Sequence, residues 1–273
     1  MAHQIYNAER IILVILSSSE KNPVSSLRAG SDSPYVFVCD HAGWQVPSSL
    51  EGLGVTEADL KRHIGWDIGA LGVARRLSNI LDAPLIWQNY SRLVIDCNRV
   101  LDHPALIAVE SDTTTIPGNM DITKDGILSR IREVYQPYHR AIKQLLDARK
   151  SRGIPTIVVS IHSFTPIFRG IKRACELGVL FGSDSRYAQQ FIGRAKAKLD
   201  FLVMANEPYR VDEKDCTIPT HAITRGNLNV LLEIRQDLIV SRVQQELWGN
   251  SLARVLEDAT SQLLRSRYSE MPS

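Results

Sequence analysis

The chain has 273 residues, 44% of them hydrophobic and 23% charged, with a formal net charge of +2. These are the proportions of a globular protein long enough to bury a real core. No Lys/Arg block points to a nucleic-acid partner. The early apolar run Ile11 to Leu16 is about a third of a membrane span and lacks the flanks of a signal peptide. Cys39, Cys97, Cys175 and Cys216 are scattered with no CxxC pair, which reads as reduced thiols in a cytoplasmic protein.

Residues 1–33 are rich in Ser and Gly and read as an arm, irregular or with a short helix, ahead of a main domain over 34–273. "YVFVC" (35–39) is a β-favouring apolar strand that stops at Asp40 and His41. Thr56, with Asp59 three residues on, is an N-cap for a helix carried by Leu60, Ile64, Ile68, Leu71, Val73, Leu77 and Leu81. Leu85 to Gln88 and Arg92 to Cys97 read as short strands. Residues 101–123, rich in Pro, Thr and Asp, read as a long loop of the kind that often serves function. Ile127 to Lys150 is an amphipathic helix. Thr156 to Ile161 is a strand ending in His162. A strand at 177–181, a helix at 186–199 and a strand at 201–205 follow. Then come a polar loop (206–228), a strand at 230–234 and a closing helix from Ile239 to Arg265. Strands apolar on both faces, alternating with helices, predict an α/β protein with a largely parallel sheet between helix layers.

Several of these segments end in charge. "VFVCDHAG" ends in Asp40 and His41, "RLVIDCNR" in Asp96, Asn98 and Arg99, and "TIVVSIHSF" in His162 and Ser163; "VLLEIRQD" carries Glu233. In open α/β sheets the carboxyl ends of the strands are where ligands bind. Two imidazoles at separate strand ends suit zinc, and a catalytic zinc takes three protein ligands. Asp67, four residues after His63 on the helix, and Asp40 compete for the third place. Glu233 lies inside an apolar strand, where burial raises a carboxyl toward the range of a general base. Asn98 and Arg99 offer amide and guanidinium donors for a carboxylate, or else Arg99 pairs with Asp96 or Asp102. His221 lies in the 206–228 loop with Tyr209, Thr217 and Arg225, positioned to close over a substrate.

Taken in order, "DHAGWQVP", "HIGWDIGA", "SRLVIDCNR", "SIHSFTP", "ELGVLF", "NEPY", "PTHAITRG" and "LLEIRQDL" resemble the N-formylglutamate amidohydrolase family, distantly similar to zinc carboxypeptidases. The resemblance implies a three-layer α/β/α sandwich with a largely parallel, mixed sheet of the zinc-exopeptidase (phosphorylase/hydrolase) kind. It implies one Zn2+ near His41 and His162, a carboxylate held by Asn98 and Arg99 with Tyr209 nearby, and Glu233 as base. His221 is assigned to the developing oxyanion. Zinc carboxypeptidases place a glutamate ligand three residues after the first histidine. Trp44 stands there in this chain, so Asp67 is assigned as the third ligand. The implied reaction is hydrolysis of an N-acyl amino acid, most simply N-formyl-L-glutamate to formate and L-glutamate in histidine degradation. The partner is then a small acidic molecule, with no nucleic acid and no membrane. The alternatives are a hydrolase acting on another small acidic amide and a metal-free carboxylate-binding module.

Overall fold

A computed structural model describes residues 13–269, with side chains to 263. Strands β1 (Val24–Leu27), β2 (Tyr35–Cys39) and β3 (Leu85–Gln88) come first. Then β4 (Glu110–Ser111) and β5 (Thr114–Thr115) form a small hairpin within the long loop. After β6 (Ile157–Phe164), a second small hairpin is made by β7 (Ile167–Phe168) and β8 (Ile171–Lys172). Strands β9 (Leu177–Leu180), β10 (Val203–Ala205) and β11 (Leu228–Arg235) complete the set. The helices are α1 (Glu57–Leu60), α2 (Ala70–Ile80), α3 (Lys124–Arg130), α4 (Gln136–Ser151), α5 (Arg186–Lys198), α6 (Thr217–His221) and α7 (Arg242–Ser269).

The main sheet has seven strands in the order β1-β3-β2-β6-β11-β9-β10. Its four central strands, β3, β2, β6 and β11, run parallel. Strand β1 is antiparallel to β3, and the β9–β10 pair is antiparallel to β11. The sheet is therefore mixed, with a parallel centre buried on both faces. Alternation along each strand sends side chains to two separate cores. Tyr35, Phe37 and Cys39 join Ile157, Val159, Ile161, Val230 and Leu232 in a core shared with α2, α5 and α7. Val36 and Val38 join Val158 and Leu231 in the other, under α4 and α6. This is the three-layer α/β/α arrangement. Among the described residues no helix is long and apolar enough to cross a membrane.

Four local expectations are corrected. Residues 24–27 are an edge strand, because they pair with β3; residues 1–12 of the expected arm lie outside the described residues. Ile15 and Leu16, from the early apolar run, donate backbone N–H groups to the Glu133 carboxylate. The helix capped by Thr56 stops at Leu60, and α2 starts only at Ala70. Between them Gly65 packs so closely that a Cβ would stand 2.0 Å from the Leu60 carbonyl oxygen. Gly69 takes a left-handed φ of 81°. His63 and Asp67 thus lie on a turn segment and share no helix face. Residues 92–97 are not a strand: the Leu93 and Val94 carbonyls accept from the side chains of Asn119 and Arg130, which satisfies the buried backbone without a ladder. Finally, His221 sits on the short helix α6 within the expected 206–228 loop. The amphipathic helix at 127–150 is present as α3 and α4, joined through a π-helical turn at Ile131–Tyr135.

Candidate active site

His162 and Glu233 are register neighbours on the parallel strands β6 and β11. Both follow the parity that faces α4 and α6, so their side chains start from the same side of the sheet. His41 lies two residues past the end of β2, and Gly43 lets its loop press against Asn89, where a Cβ would stand 1.9 Å from the Asn89 carbonyl oxygen. Asp67 is fixed to this loop by its backbone N–H, which donates to the His41 carbonyl at 2.9 Å. The result is a cavity of about 390 Å³ lined by His41, Asp67, His162, Glu233, Arg92 and Arg99, with Asn98, His63, Tyr209, Arg210 and Asp215 around them.

The imidazoles and carboxylates interlock. Asp67 Oδ2 is 2.8 Å from His162 Nδ1 and 3.4 Å from His41 Nδ1. The far nitrogen of each ring is anchored: His41 Nε2 is 2.7 Å from Asp96 Oδ1, and His162 Nε2 is 2.8 Å from Asp40 Oδ2. Arg92 spans Asp96 at 2.7 Å and Asp67 at 3.5 Å. His41 Nδ1 is buried with no hydrogen-bond partner, although it faces Asp67. Burial opposes ionisation of Asp67, yet His41 and His162 hold its carboxyl well below the usual range. Asp96 is likewise held down against burial, chiefly by Arg92.

These residues fit a divalent cation. The three groups His41, Asp67 and His162 offer ligand atoms within 4.8 Å of one another. Against burial, Asp96 and Asp67 raise the pKa of His41, and Asp40 and Asp67 raise that of His162 well above its ordinary value. The two ring charges balance what three carboxylates leave over the one guanidinium of Arg92, and a divalent cation on neutral rings would supply the same two charges. Each inward nitrogen is backed by a carboxylate on the opposite side of its ring, the arrangement that orients histidine ligands. Among the described residues this is the one such group. Asp40 lies on the outer side of His162, so it does not compete with Asp67 for the inner position.

Glu233 lines the same cavity with its Oε2 unpartnered. Burial pushes its carboxyl up to about 7, with Asp67 adding to the rise and His162, His41 and Arg92 opposing it. Asn98 and Arg99 also reach the cavity. The resting partner of Arg99 is Asp215, at 3.1 Å, rather than Asp96 or Asp102. Asn98 Nδ2 lies 3.4 Å from the same Asp215 oxygen, while its Oδ1 accepts from the Thr217 backbone N–H. Tyr209 stands at the rim, its hydroxyl accepting from Arg173 at 2.9 Å. His63 lines the wall beside Asp112, 3.2 Å from its Nε2. His221 is elsewhere: its Nε2 is 2.8 Å from His139 Nδ1, the two rings are stacked, and it does not line the cavity. Arg92 and Asp215 are site residues that strand-end reasoning missed. Arg92 opens the "RLVIDCNR" segment, and Asp215 falls in a polar loop whose spacing carries no signal.

In this chain, polar groups on and just beyond the parallel strands of the centre, and on the segments between them, converge on a cleft at the carboxyl edge of a mixed sheet, the place where open α/β enzymes bind their ligands. Its family is specific: the chain belongs to the N-formylglutamate amidohydrolases, whose family profile matches residues 33–240. It is an amidohydrolase by that membership. A gene product from Agrobacterium tumefaciens has the same fold with a TM-score of 0.88 and 34% sequence identity, over 91% of this chain and 98% of that one. The N-formylglutamate amidohydrolase from Ralstonia eutropha JMP134 superposes with a TM-score of 0.69 at 18% identity, over 90% of this chain and 100% of that one. A search of curated protein sequences gives no significant match.

Proposed function

We propose that this chain hydrolyses the amide bond of an acidic N-acyl amino acid, N-formyl-L-glutamate in the simplest case, giving formate and L-glutamate with the help of one zinc ion. The observation that carries this reading is the convergence of His41 Nδ1, His162 Nδ1 and Asp67 Oδ2 in a cavity that also holds the unpartnered carboxyl of Glu233. His41, Asp67 and His162 would hold the ion. When bound, zinc supplies Lewis acidity toward the amide carbonyl and lowers the pKa of water.

The rest of the chemistry belongs to the chain's own side chains. Glu233 takes a proton from the attacking water and delivers it to the leaving nitrogen, so that water and amide become formate and free amine. A carboxyl raised to about 7 holds and releases that proton at neutral pH. The guanidinium of Arg92 lines the cavity and steadies negative charge that develops on the carbonyl oxygen. Arg99 exchanges Asp215 for a substrate carboxylate, and the donor end of Asn98 adds a second contact. Tyr209 covers the rim. The setting that goes with this reaction is histidine degradation in the cytoplasm.

The test is zinc content of the purified protein together with formate release from a panel of N-formylglutamate, N-formyl-leucine and N-acetylglutamate. Zinc-dependent formate release favouring N-formylglutamate is the expected result. Turnover of the acetyl compound alone would move the assignment to a different deacylase. Carboxylate binding with neither metal nor turnover would leave a binding module.

A further inference from the structure

Asp40 follows His41's strand but serves the other histidine. By strand alternation it shares a face with Val36 and Val38, and so with Ser160 and His162 across the β2–β6 pair. Its side chain is completely buried. Oδ1 accepts from the Tyr138 hydroxyl at 2.7 Å and the Thr217 hydroxyl at 2.6 Å. Oδ2 accepts from the Ser160 hydroxyl at 3.2 Å and lies 2.8 Å from His162 Nε2. The partners come from α4, α6 and β6, so three elements converge on one carboxylate.

Two carboxylate oxygens offer about four lone-pair positions. Four donors fill them, which leaves Asp40 no lone pair for a metal. The hydrogen shared with His162 then belongs to Nε2 of the ring. In a neutral imidazole one nitrogen carries the hydrogen and the other the lone pair. Without a metal, Nδ1 of His162 meets Asp67 Oδ2 at 2.8 Å, as a ring carrying both hydrogens does; a metal that displaces the Nδ1 hydrogen finds the lone pair there, because Asp40 keeps the other hydrogen on Nε2. A carboxylate with no solvent exposure is costly to keep at this position unless it is used.

We propose that Asp40 is a positioning residue for His162, fixing both the ring and its tautomer so that Nδ1 is ready to bind the metal. This rests on the metal reading of the site given above. It makes α6 part of the metal site at one remove, since Thr217 touches Asp40 through its hydroxyl and Asn98 through its backbone N–H.

The direct test is Asp40→Asn, which keeps the size of the side chain and removes its charge. Zinc affinity measured by chelator competition on the metal-free protein should fall by about 10–100-fold, the usual effect of losing such a partner. Far-UV circular dichroism of the metal-free variant should stay that of the parent. A folded Asp40→Asn protein that binds zinc within about threefold of the parent overturns the proposal, since an orienting partner is normally worth more. A second measurement needs no variant. In the parent protein with isotope-labelled histidines and an NMR-active cadmium isotope, His162 should couple to the metal through Nδ1 and keep its hydrogen on Nε2. Coupling through Nε2 of His162, with His41 also bound, overturns the role of Asp40 alone. No coupling to either histidine overturns the metal site and this role with it.

Discussion

Glu233 and His162 are direct partners across the parallel β11–β6 pair and face the same side of the sheet. Neighbouring strands lie about 4.8 Å apart, so the proposed base and a proposed metal ligand are held at a fixed separation by backbone hydrogen bonds alone. Gly178, on the other side of Glu233 in β9, could not carry a side chain, because a Cβ would stand 2.0 Å from the Glu207 carbonyl oxygen. The Glu233 side chain is thus confined on one flank and open to the cavity on the other.

Exchanging Glu233 for Gln should leave zinc bound and slow turnover by about 10²–10⁴-fold, the usual contribution of a proton-transferring group. A base works only when deprotonated. Since burial pushes Glu233 up to about 7, the rate of the parent enzyme should fall on the acid side. A cation in the site favours the charged carboxylate, so the midpoint should lie at or below that value. The Gln variant should lose this acid limb. Loss of zinc from Glu233→Gln would make Glu233 a ligand instead.

Metal analysis after dialysis should find most of the zinc gone from His41→Ala, His162→Ala and Asp67→Ala, each measured beside the parent. The three residues supply the whole group of converging ligand atoms, and a site left with two protein ligands holds zinc poorly. Full occupancy in Asp67→Ala would remove Asp67 from the set.

Arg99→Ala should discriminate between substrates. A hydrogen bond to a charged group is worth about 1.5–3 kcal/mol, which corresponds to a loss of roughly 10–150-fold in kcat/KM for N-formylglutamate. An uncharged formamide should be affected far less. Equal losses on both compounds would give Arg99 a purely structural task as the partner of Asp215.

Gly69→Ala tests how the turn carries Asp67. The backbone there has a φ of 81°, and a Cβ would stand 2.2 Å from the Ile239 carbonyl oxygen. A non-glycine residue held in the left-handed region costs about 1–3 kcal/mol, and the clash adds to that. Calorimetry should show a Tm lowered by several degrees, about 2–4 °C per kcal/mol for a chain of this size class. Zinc affinity should fall as well, because Asp67 lies two residues upstream. An unchanged Tm would mean that the turn relaxes without strain.

Much of this arrangement is legible in local pattern. The run 35–39, the β-branched segment before His162 and the apolar flanks of Glu233 are strands because their side chains demand burial on both faces, and polar residues beyond such strands fall at one edge of a parallel sheet. That reasoning reached His41, His162, Glu233 and Arg99, all of which line the cavity. It failed at residues 92–97, an apolar run whose backbone is satisfied by Asn119 and Arg130 from 26 and 36 residues away. It also failed at 61–69, where two close glycine contacts break a helical periodicity that the apolar residues continue.

The sequence by itself determined the central strands and the faces on which His162 and Glu233 start, because both follow from side-chain type and a two-residue repeat. Tertiary structure alone decided who meets whom. Asp40 adjoins His41 and Asp67 lies four residues after His63, yet both meet His162, Asp67 at Nδ1 and Asp40 at Nε2. Those contacts join positions 95 and 122 residues apart. They are set by strand order and by the turn before α2, which depend on how whole layers pack rather than on any local spacing.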